Sequence, residues 1–370
     1  SKDGVDFANI NWDQDKQTLV DIVPLVTELL DQLSVETYSE AIELLRSLTS
    51  VDGIIEFARE TTPESRTLAL DIVEKLVDTT LFYELGLNVA RKALGMVGSL
   101  GEITSLAKYS KDTFNDDVHG GIEIVRTIIN SSLIDNVVDR DLAINWADAS
   151  IETVIRAITE LHFLPLYGQE LADFVDARIG YDLSCFDNSN IDYANEQDAY
   201  INAYNELVVM LMNSEFPLRS VNDFLAFVKG SSDVSATDLI NYVNAMSVID
   251  AGLALAGTGL ANEMYKLVMN VVSQTSIPLA SYFDVSGQTK AEQEEDYLTF
   301  LSLAKDAINY ATANGTFERV GFDFPIDDIA TAQHMVDLVM SLHLFEGKYS
   351  DMIISLMDRF GMDTTNVDLS

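Results

Sequence analysis

Cysteine and positive charge are the two things this sequence has least of. Cys185 is the single thiol in 370 residues, so the chain can form neither an internal disulfide nor a cysteine-based zinc cluster. Lysine and arginine together number 22 against 60 aspartates and glutamates, which gives a formal net charge of −38. Because nucleic acids and anionic membranes are bound through clustered basic side chains, this composition argues against both as partners.

Proline and long apolar runs are also scarce. The chain has six prolines, and its longest weakly charged stretch, residues 267–283, is interrupted by Asn270, Ser273, Gln274 and Pro278. A membrane-spanning helix needs about 20 predominantly apolar residues, so no insertion into a membrane is expected. The sequence opens at Ser1 without an apolar leader, which is the pattern expected of a processed or excised segment.

Apolar residues at spacings of three and four dominate the rest of the sequence and predict an all-α fold. One stripe comprises Ile22, Val23, Val26, Leu29 and Leu30, and another comprises Ile72, Val73, Leu76 and Val77. Clusters of Gly, Asn, Asp and Ser at 115–121, 187–190 and 231–235 predict loops between helices.

The sequence is also similar to itself. Residues 42–48 match 122–128 at an offset of 80, residues 72–93 match 154–175 at an offset of 82, and residues 161–162 match 342–343 at an offset of 181. These matches predict tandem helical-hairpin repeats of about 80–90 residues, stacked into a solenoid-like or superhelical array. The predicted boundaries are a lead and first helix at 1–35, then repeats at 36–115, 116–190, 191–285 and 286–370.

Two short elements recur within the repeats. Helix breaks followed by bulky apolar residues occur at 80–82, 132–133, 162–164 and 214–216. The sequence Ile-Asn-Trp occurs at 10–12 and 144–146, with a looser copy at 191–193. Asn at such a position is typical of a helix N-cap, so each copy is predicted to open a helix, with its aromatic ring packed on the first turn.

These openings and breaks resemble the uncharacterised helical repeats of bacterial surface proteins. The resemblance spans most of the chain, and it implies a repeat region on the outside of a cell without implying an activity. Abundant Asp, Asn, Ser and Thr with little Lys and Arg is also the surface chemistry expected of an exported protein. An extracellular or cell-surface location is therefore expected, with the cytoplasm as the alternative.

Enzyme motifs give no support for catalysis. None of the four histidines lies in a metal-binding spacing; His162 and His343 occupy the same repeat position, and His119 falls in a predicted loop. A Gly-x-Ser-x-Gly elbow is missing, Cys185 has no histidine nearby in sequence, and residues 252–259 lack the Lys-Ser/Thr ending of a phosphate loop. No catalytic residue and no cofactor-binding residue is predicted.

Acidic loops are the one place where a metal ion is considered. Calcium binds carboxylate and carbonyl oxygens, and two loops offer them in clusters. The candidate ligands are Asp187, Asn190 and Asp192 in one loop, and Asp323, Asp327 and Asp328 in another. Neither matches the twelve-residue EF-hand pattern, so solvated loops are the competing interpretation.

Together these observations predict a non-enzymatic extracellular structural or adhesive repeat protein. Its expected partners are other copies of itself or neighbouring repeats, because the first and last helices carry apolar stripes like those of interior repeats. The alternative is an intracellular α-solenoid scaffold that binds peptides or proteins. A third hypothesis is a helical-barrel glycoside-active enzyme, since 60 carboxylates supply many acid and base pairs.

Overall fold

The structure is a computed structural model, and it describes residues 7–47, 56–57, 60–83, 85–86, 106–138, 141–179, 184–229, 231–234, 239, 244–274, 280–313 and 329–359. The chain is predominantly helical, which confirms the all-α prediction. Across the residues described, no helix combines the length and the apolar character needed to cross a membrane.

The chain divides into two compact units. Unit 1 comprises residues 1–174 and 211–242, and unit 2 comprises residues 175–210 and 243–370. The elements that begin in unit 1 are α1 (Trp12–Gln32), α2 (Tyr38–Ser47), α3 (Pro63–Val77), α4 (Lys111–Ile129), β1 (Ile134–Val138), β2 (Asp141–Ile144), α5 (Ser150–Glu160), α6 (Phe163–Ile179) and α8 (Val221–Lys229). Those that begin in unit 2 are α7 (Gln197–Leu211), α9 (Ala245–Ala254), α10 (Gly259–Ser273), α11 (Lys290–Ala313), α12 (Ile329–Met340) and α13 (Tyr349–Arg359).

Several helices begin at a reciprocal cap. At the start of α4 the Ser110 hydroxyl accepts a hydrogen bond from the Thr113 amide, and the Thr113 hydroxyl accepts one from the Ser110 amide. At the start of α11 Thr289 and Glu292 exchange the same two bonds. Such a capping box satisfies two amides that have no partner inside the helix, so it fixes where the helix begins.

One predicted loop is helical. Residues 115–121, expected to form a break, lie inside α4, and His119 therefore lies on a helix. The capping box at Ser110 starts the helix upstream of Gly120 and Gly121. A Cβ atom on Gly120 would lie 2.7 Å from the Leu161 side chain, so the residue permits close contact between α4 and the end of α5.

A two-stranded antiparallel hairpin interrupts the helices of unit 1. Strands β1 and β2 pair with Ile134 opposite Ile144 and Val138 opposite Asp141. The predicted helix opening at 144–146 is wrong, because Ile144 ends β2 and α5 begins at Ser150. Asn145 instead accepts a bond from the Ala147 amide, which turns the chain between strand and helix. The Ile-Asn-Trp copy at 10–12 does open a helix, with Asn11 as the N-cap of α1.

The predicted apolar stripes are partly confirmed. Ile22, Ile72 and Val77 are buried, whereas Val23 on α1 is exposed. In unit 2 the core is formed where α9, α10, α11 and the 3-10 turn at 343–345 meet. Its buried members are Ala203, Ala251, Leu255, Ala261, Tyr265, Met269, Val285, Tyr297, Leu342, Leu344 and Phe345.

Candidate functional site

The most highly organised polar groups are carboxylates on one helix that accept hydrogen bonds from backbone amides at the start of another helix. We call such an arrangement a carboxylate clasp. A helix start carries unpaired amides and the positive end of the helix dipole, so a carboxylate there both completes hydrogen bonds and stabilises charge. Clasps occur in both units. Those of unit 1 lie at two of the predicted helix breaks, 80–82 and 162–164.

Asp15 forms the first clasp of unit 1. It lies in the first turn of α1 and is buried, and it accepts bonds from the Thr80 amide at 3.0 Å, the Thr80 hydroxyl at 2.7 Å and the Leu81 amide at 2.9 Å. Burial opposes ionisation of this carboxyl, but the three hydrogen bonds outweigh it and hold its pKa below the usual value. Asp15 therefore stays charged and ties α1 to the segment after α3.

Asp117 forms the second clasp of unit 1, at the predicted break 162–164. One carboxylate oxygen accepts bonds from the His162 amide at 2.7 Å and lies 2.9 Å from His162 Nδ1. The other accepts bonds from the Phe163 amide at 2.7 Å and from the Tyr109 hydroxyl. Burial, together with the hydrogen bond to Asp117, raises the pKa of the Tyr109 phenol, so it remains a donor.

Asp296 forms the corresponding clasp of unit 2. It lies seven residues after the cap of α11, as Asp117 lies seven after the cap of α4. Its oxygens accept bonds from the His343 and Leu344 amides at 2.8 and 2.7 Å, and His343 Nδ1 lies 3.2 Å away. Gln288 Nε2 donates at 2.5 Å and the Tyr265 hydroxyl at 3.3 Å.

Two glutamates of unit 2 act in a related way. Glu196 accepts a bond from the Gly259 amide at 2.7 Å, at the start of α10. Glu263, which is fully buried, accepts bonds from the Asp187 amide and from the Asn190 side-chain amide, both at 2.8 Å, and lies 2.7 Å from Lys266 Nζ. A buried carboxylate is tolerated because several donors and one cation surround it.

The histidines are all placed beside carboxylates. His119 lies 3.2 Å from Asp78 and His334 lies 3.1 Å from Asp306, in addition to the pairs formed by His162 and His343. A carboxylate on Nδ1 orients an imidazole ring, which is also how a general base is held. In the two clasps the same carboxylate binds two backbone amides, so the pair serves first as a structural junction.

The calcium candidates of the first loop have protein partners. Asp187 accepts bonds from the Ser189 amide and hydroxyl, and these bonds lower the pKa of Asp187. Asn190 donates to Glu263, and Asp192 accepts from Asn195. Among the residues that the structure describes, no group of three or more His, Cys, Asp or Glu is arranged to hold a metal ion. The second loop, with Asp323, Asp327 and Asp328, lies outside the described residues.

Two glycines within residues 252–259 lie at close contacts inside unit 2. A Cβ atom on Gly259 would lie 2.0 Å from the Asn190 carbonyl oxygen, so only glycine fits where α10 starts against residues 190–191. The Gly252 carbonyl accepts a bond from the Tyr297 hydroxyl at 2.7 Å. The glycines thus allow backbone contacts inside unit 2.

Two clefts accompany these junctions. One, of about 420 Å³, lies in unit 1 beside the end of α1 and is lined in part by Leu33, Val35, Phe57 and Thr62. The other, of about 270 Å³, lies in unit 2 beside Cys185 and Lys266.

The clasp carboxylates were not among the residues singled out from the sequence. The signal was present: Asp117 and Asp296 stand seven residues after a helix cap, and Asp117 is bonded to the start of the predicted break at 162–164. What linked the carboxylate to that break is tertiary, since the bonded residues are 45 and 47 positions apart. No protein family model, curated protein or solved structure matches this chain.

Proposed function

We propose that the chain is a non-enzymatic structural or adhesive protein of the cell exterior, built from two copies of one helical module of about 180 residues. The observation that carries this proposal is a set of polar contacts that recurs at offsets of 179 to 181. His162 bonded to Asp117 corresponds to His343 bonded to Asp296. Asp15 bonded to Thr80 corresponds to Glu196 bonded to Gly259.

An ion pair between neighbouring helices supports the same correspondence. Arg126 on α4 lies 2.9 Å from Asp71 on α3, and Lys305 on α11 lies 2.6 Å from Asp250 on α9, at an offset of 179 for both partners. Long charged side chains at surface positions are readily replaced, so the repetition of pair, helices and spacing favours duplication over chance.

A buried threonine gives a third match. The Thr79 hydroxyl donates to the Leu76 carbonyl and accepts from the Phe82 amide. The Thr258 hydroxyl donates to the Leu255 carbonyl and accepts from the Ala261 amide, again at an offset of 179. The first copy thus extends from about residue 10 and the second from about residue 191.

These contacts favour a structural role because they use the most buried carboxylates to join helices. A module whose junctions are repeated is a unit from which arrays are assembled, and stacking of such units buries their apolar faces. The net charge of −38 keeps such a surface hydrated and suits an exposed extracellular setting. The shorter repeats of 80–90 residues, and their assembly as a solenoid, remain part of this proposal.

Hydrogen exchange on the full chain tests the module. We expect slow exchange at the clasped amides of both copies, those of Thr80, Leu81, His162, Phe163, Gly259, His343 and Leu344. An experimental structure in which 71–126 and 250–305 fail to superpose helix for helix would refute the duplication.

Two further experiments test the role. Antibody labelling of intact source cells should succeed without permeabilisation, whereas labelling only after permeabilisation would favour the intracellular scaffold. The chain should release no sugar from a panel of glycosides. Turnover that disappears when a pair of carboxylates is replaced would instead favour the helical-barrel enzyme.

A further inference from the structure

Unit 1 contains a contact between the two proposed copies. Strand β2 belongs to the first copy, and the segment before α8 belongs to the second. The Ile144 amide donates to the Arg219 carbonyl at 2.9 Å, and Ala143 forms a β-bridge with Ser220. Successive copies therefore meet in part by strand pairing at the two residues that lead into a helix.

The first copy has the same lead-in before α2. The Glu36 and Thr37 amides donate to the Glu40 carboxylate, just as the Arg219 and Ser220 amides donate to Asp223. The Thr37 and Ser220 hydroxyls then accept from the amides of Glu40 and Asp223 respectively. The offset is 183 throughout. The two lead-ins differ in burial, because Ser220 is 5% exposed whereas Thr37 is exposed.

The outer face of α1 is also more exposed than its counterpart on α7. Val20 and Val23 are 55% and 61% exposed. At an offset of 181 their counterparts are Ile201, which is 5% exposed, and Tyr204, which is half-buried. The inner faces of the two helices agree, since Ile22 and Ala203 are both buried. The first copy therefore exposes an apolar face whose equivalent in the second copy is covered.

Helix α1 connects these features, because it carries Val20 and Val23 and ends shortly before Glu36 and Thr37. The end of α1 and the residues before Glu36 line the cleft of about 420 Å³, to which Leu33 and Val35 contribute. Their counterparts before Ser220, Phe216 and Leu218, are buried. We call the combination of Val20, Val23, Glu36 and Thr37 the lead-in surface.

We propose that the lead-in surface binds a second copy of this chain. An extended segment of that copy pairs with the backbone at Glu36 and Thr37, and its apolar side chains cover Val20 and Val23. The inference rests on the proposed two-copy module. It selects a second copy as the occupant because the chain already pairs a strand of one copy with the equivalent lead-in of the other.

Net charge sets the conditions under which this association is measured. Two chains of charge −38 repel each other, and salt shortens the range of that repulsion to about 8 Å at 0.15 M. Apolar contact and backbone pairing are little affected by screening. Association should therefore strengthen as sodium chloride is raised, which is opposite to the behaviour of a contact made by ion pairs.

The test is sedimentation equilibrium of the full chain over a wide concentration range in 0.15 and 1 M sodium chloride. The wild type should self-associate, more tightly at high salt. The double variant Val20→Lys, Val23→Lys should weaken association at least about tenfold, because two apolar side chains lose their burial. The matched control is Val268→Lys on α10, at an equally exposed valine outside the lead-in surface.

Hydrogen exchange at high and low protein concentration provides the second readout. The amides within 16–23, on α1, lie beside the proposed contact and should be better protected at high concentration, and this protection should vanish in the double variant. A wild type that stays monomeric at every concentration and salt level overturns the inference, as does equal weakening by the control. Neither result bears on the two-copy module, which is tested separately by exchange at the clasped amides and by superposition of residues 71–126 on 250–305.

Discussion

The clasp at Asp117 in unit 1 and the clasp at Asp296 in unit 2 share their backbone bonds and their histidine contact, and they differ in their other side-chain bonds. Each carboxylate binds the amides of a histidine and of the next residue at 2.7 to 2.8 Å. The second oxygen is completed by Tyr109 in unit 1, but by Gln288 and Tyr265 in unit 2. Tyr109 and Gln288 are themselves 179 residues apart.

This difference shows which part of the junction is fixed. The backbone amides at a helix start have no partner inside their helix, so an acceptor such as a carboxylate is strongly favoured there. The remaining lone pairs accept from any donor of suitable reach, and a phenol and an amide both serve. For the proposed two-copy module, sequence divergence is therefore expected around the clasp and not at its centre.

The largest effect is expected from breaking the more buried clasp. Asp296→Asn places an amide among five donors, and we expect a loss of about 3–5 kcal/mol in the free energy of unfolding, against about 2–3 kcal/mol for Asp117→Asn. Urea unfolding of both variants measures the difference. The exposed Asp306→Asn is the control and should cost under about 1 kcal/mol. Equal losses at 296 and 306 would contradict the structural role.

The next largest effect is expected at Gly259, whose amide donates to Glu196. Gly259→Ala should lower the free energy of unfolding by about 2–4 kcal/mol. The new Cβ would clash with the Asn190 carbonyl oxygen, so the backbone at one of the two residues must shift. Gly121→Ala is the matched control. It lies inside α4 with nothing within 4 Å of its new Cβ, so it should stabilise by about 0.5–1 kcal/mol. Thermal unfolding distinguishes the two signs.

A smaller effect concerns pH. The pKa of Asp15 is lowered in the folded chain, as are those of Asp148, Asp187 and Asp284 through hydrogen bonds from neighbouring serines. A lowered folded pKa gives stability that is fully present above the unfolded value of 3.8 and is lost as pH falls through the folded value. Stability measured by urea from pH 7 to pH 2.5 should therefore fall below about pH 4.

Asp15→Asn isolates the share of that pH dependence due to one clasp. The variant should be less stable at pH 7 and should lose less stability between pH 4 and pH 2.5 than the wild type does. A variant curve that runs parallel to the wild-type curve through the acid range would contradict the assignment to Asp15.

The smallest expected change in stability distinguishes the Arg126–Asp71 ion pair from the Lys305–Asp250 ion pair. Arg126 contacts Asp71, Glu74 and Glu123, whereas the residues 179 positions after Glu74 and Glu123 are Leu253 and Ser302. Arg126→Lys should cost about 0.5–1 kcal/mol, and Lys305→Arg should be close to neutral. A clear gain in the free energy of unfolding from Lys305→Arg would show that the lysine ammonium group, by its shape, makes the Lys305–Asp250 pair weaker than a guanidinium would.

Local features of this fold could be predicted from the sequence, and tertiary ones could not. Spacing of apolar residues predicted the helices, and the Asn11 cap and the break at His162 were both located. The run 115–121 was predicted as a loop because two glycines lower helix propensity, but the capping box at Ser110 and the contact of Gly120 with Leu161 decide otherwise. The partner of Asp296 lies 47 residues away, and no local pattern specifies it.

The sequence distances of the clasps have a consequence for how the chain reaches this fold. The bonded residues are separated by 65, 45, 63 and 47 positions at Asp15, Asp117, Glu196 and Asp296. Each closure therefore costs a similar, moderate loop entropy, and none requires the opposite end of the chain. Each clasp can thus form as soon as its own stretch of chain is available, whether during synthesis or during refolding. These four closures are therefore independent of one another in the chain segments that they require.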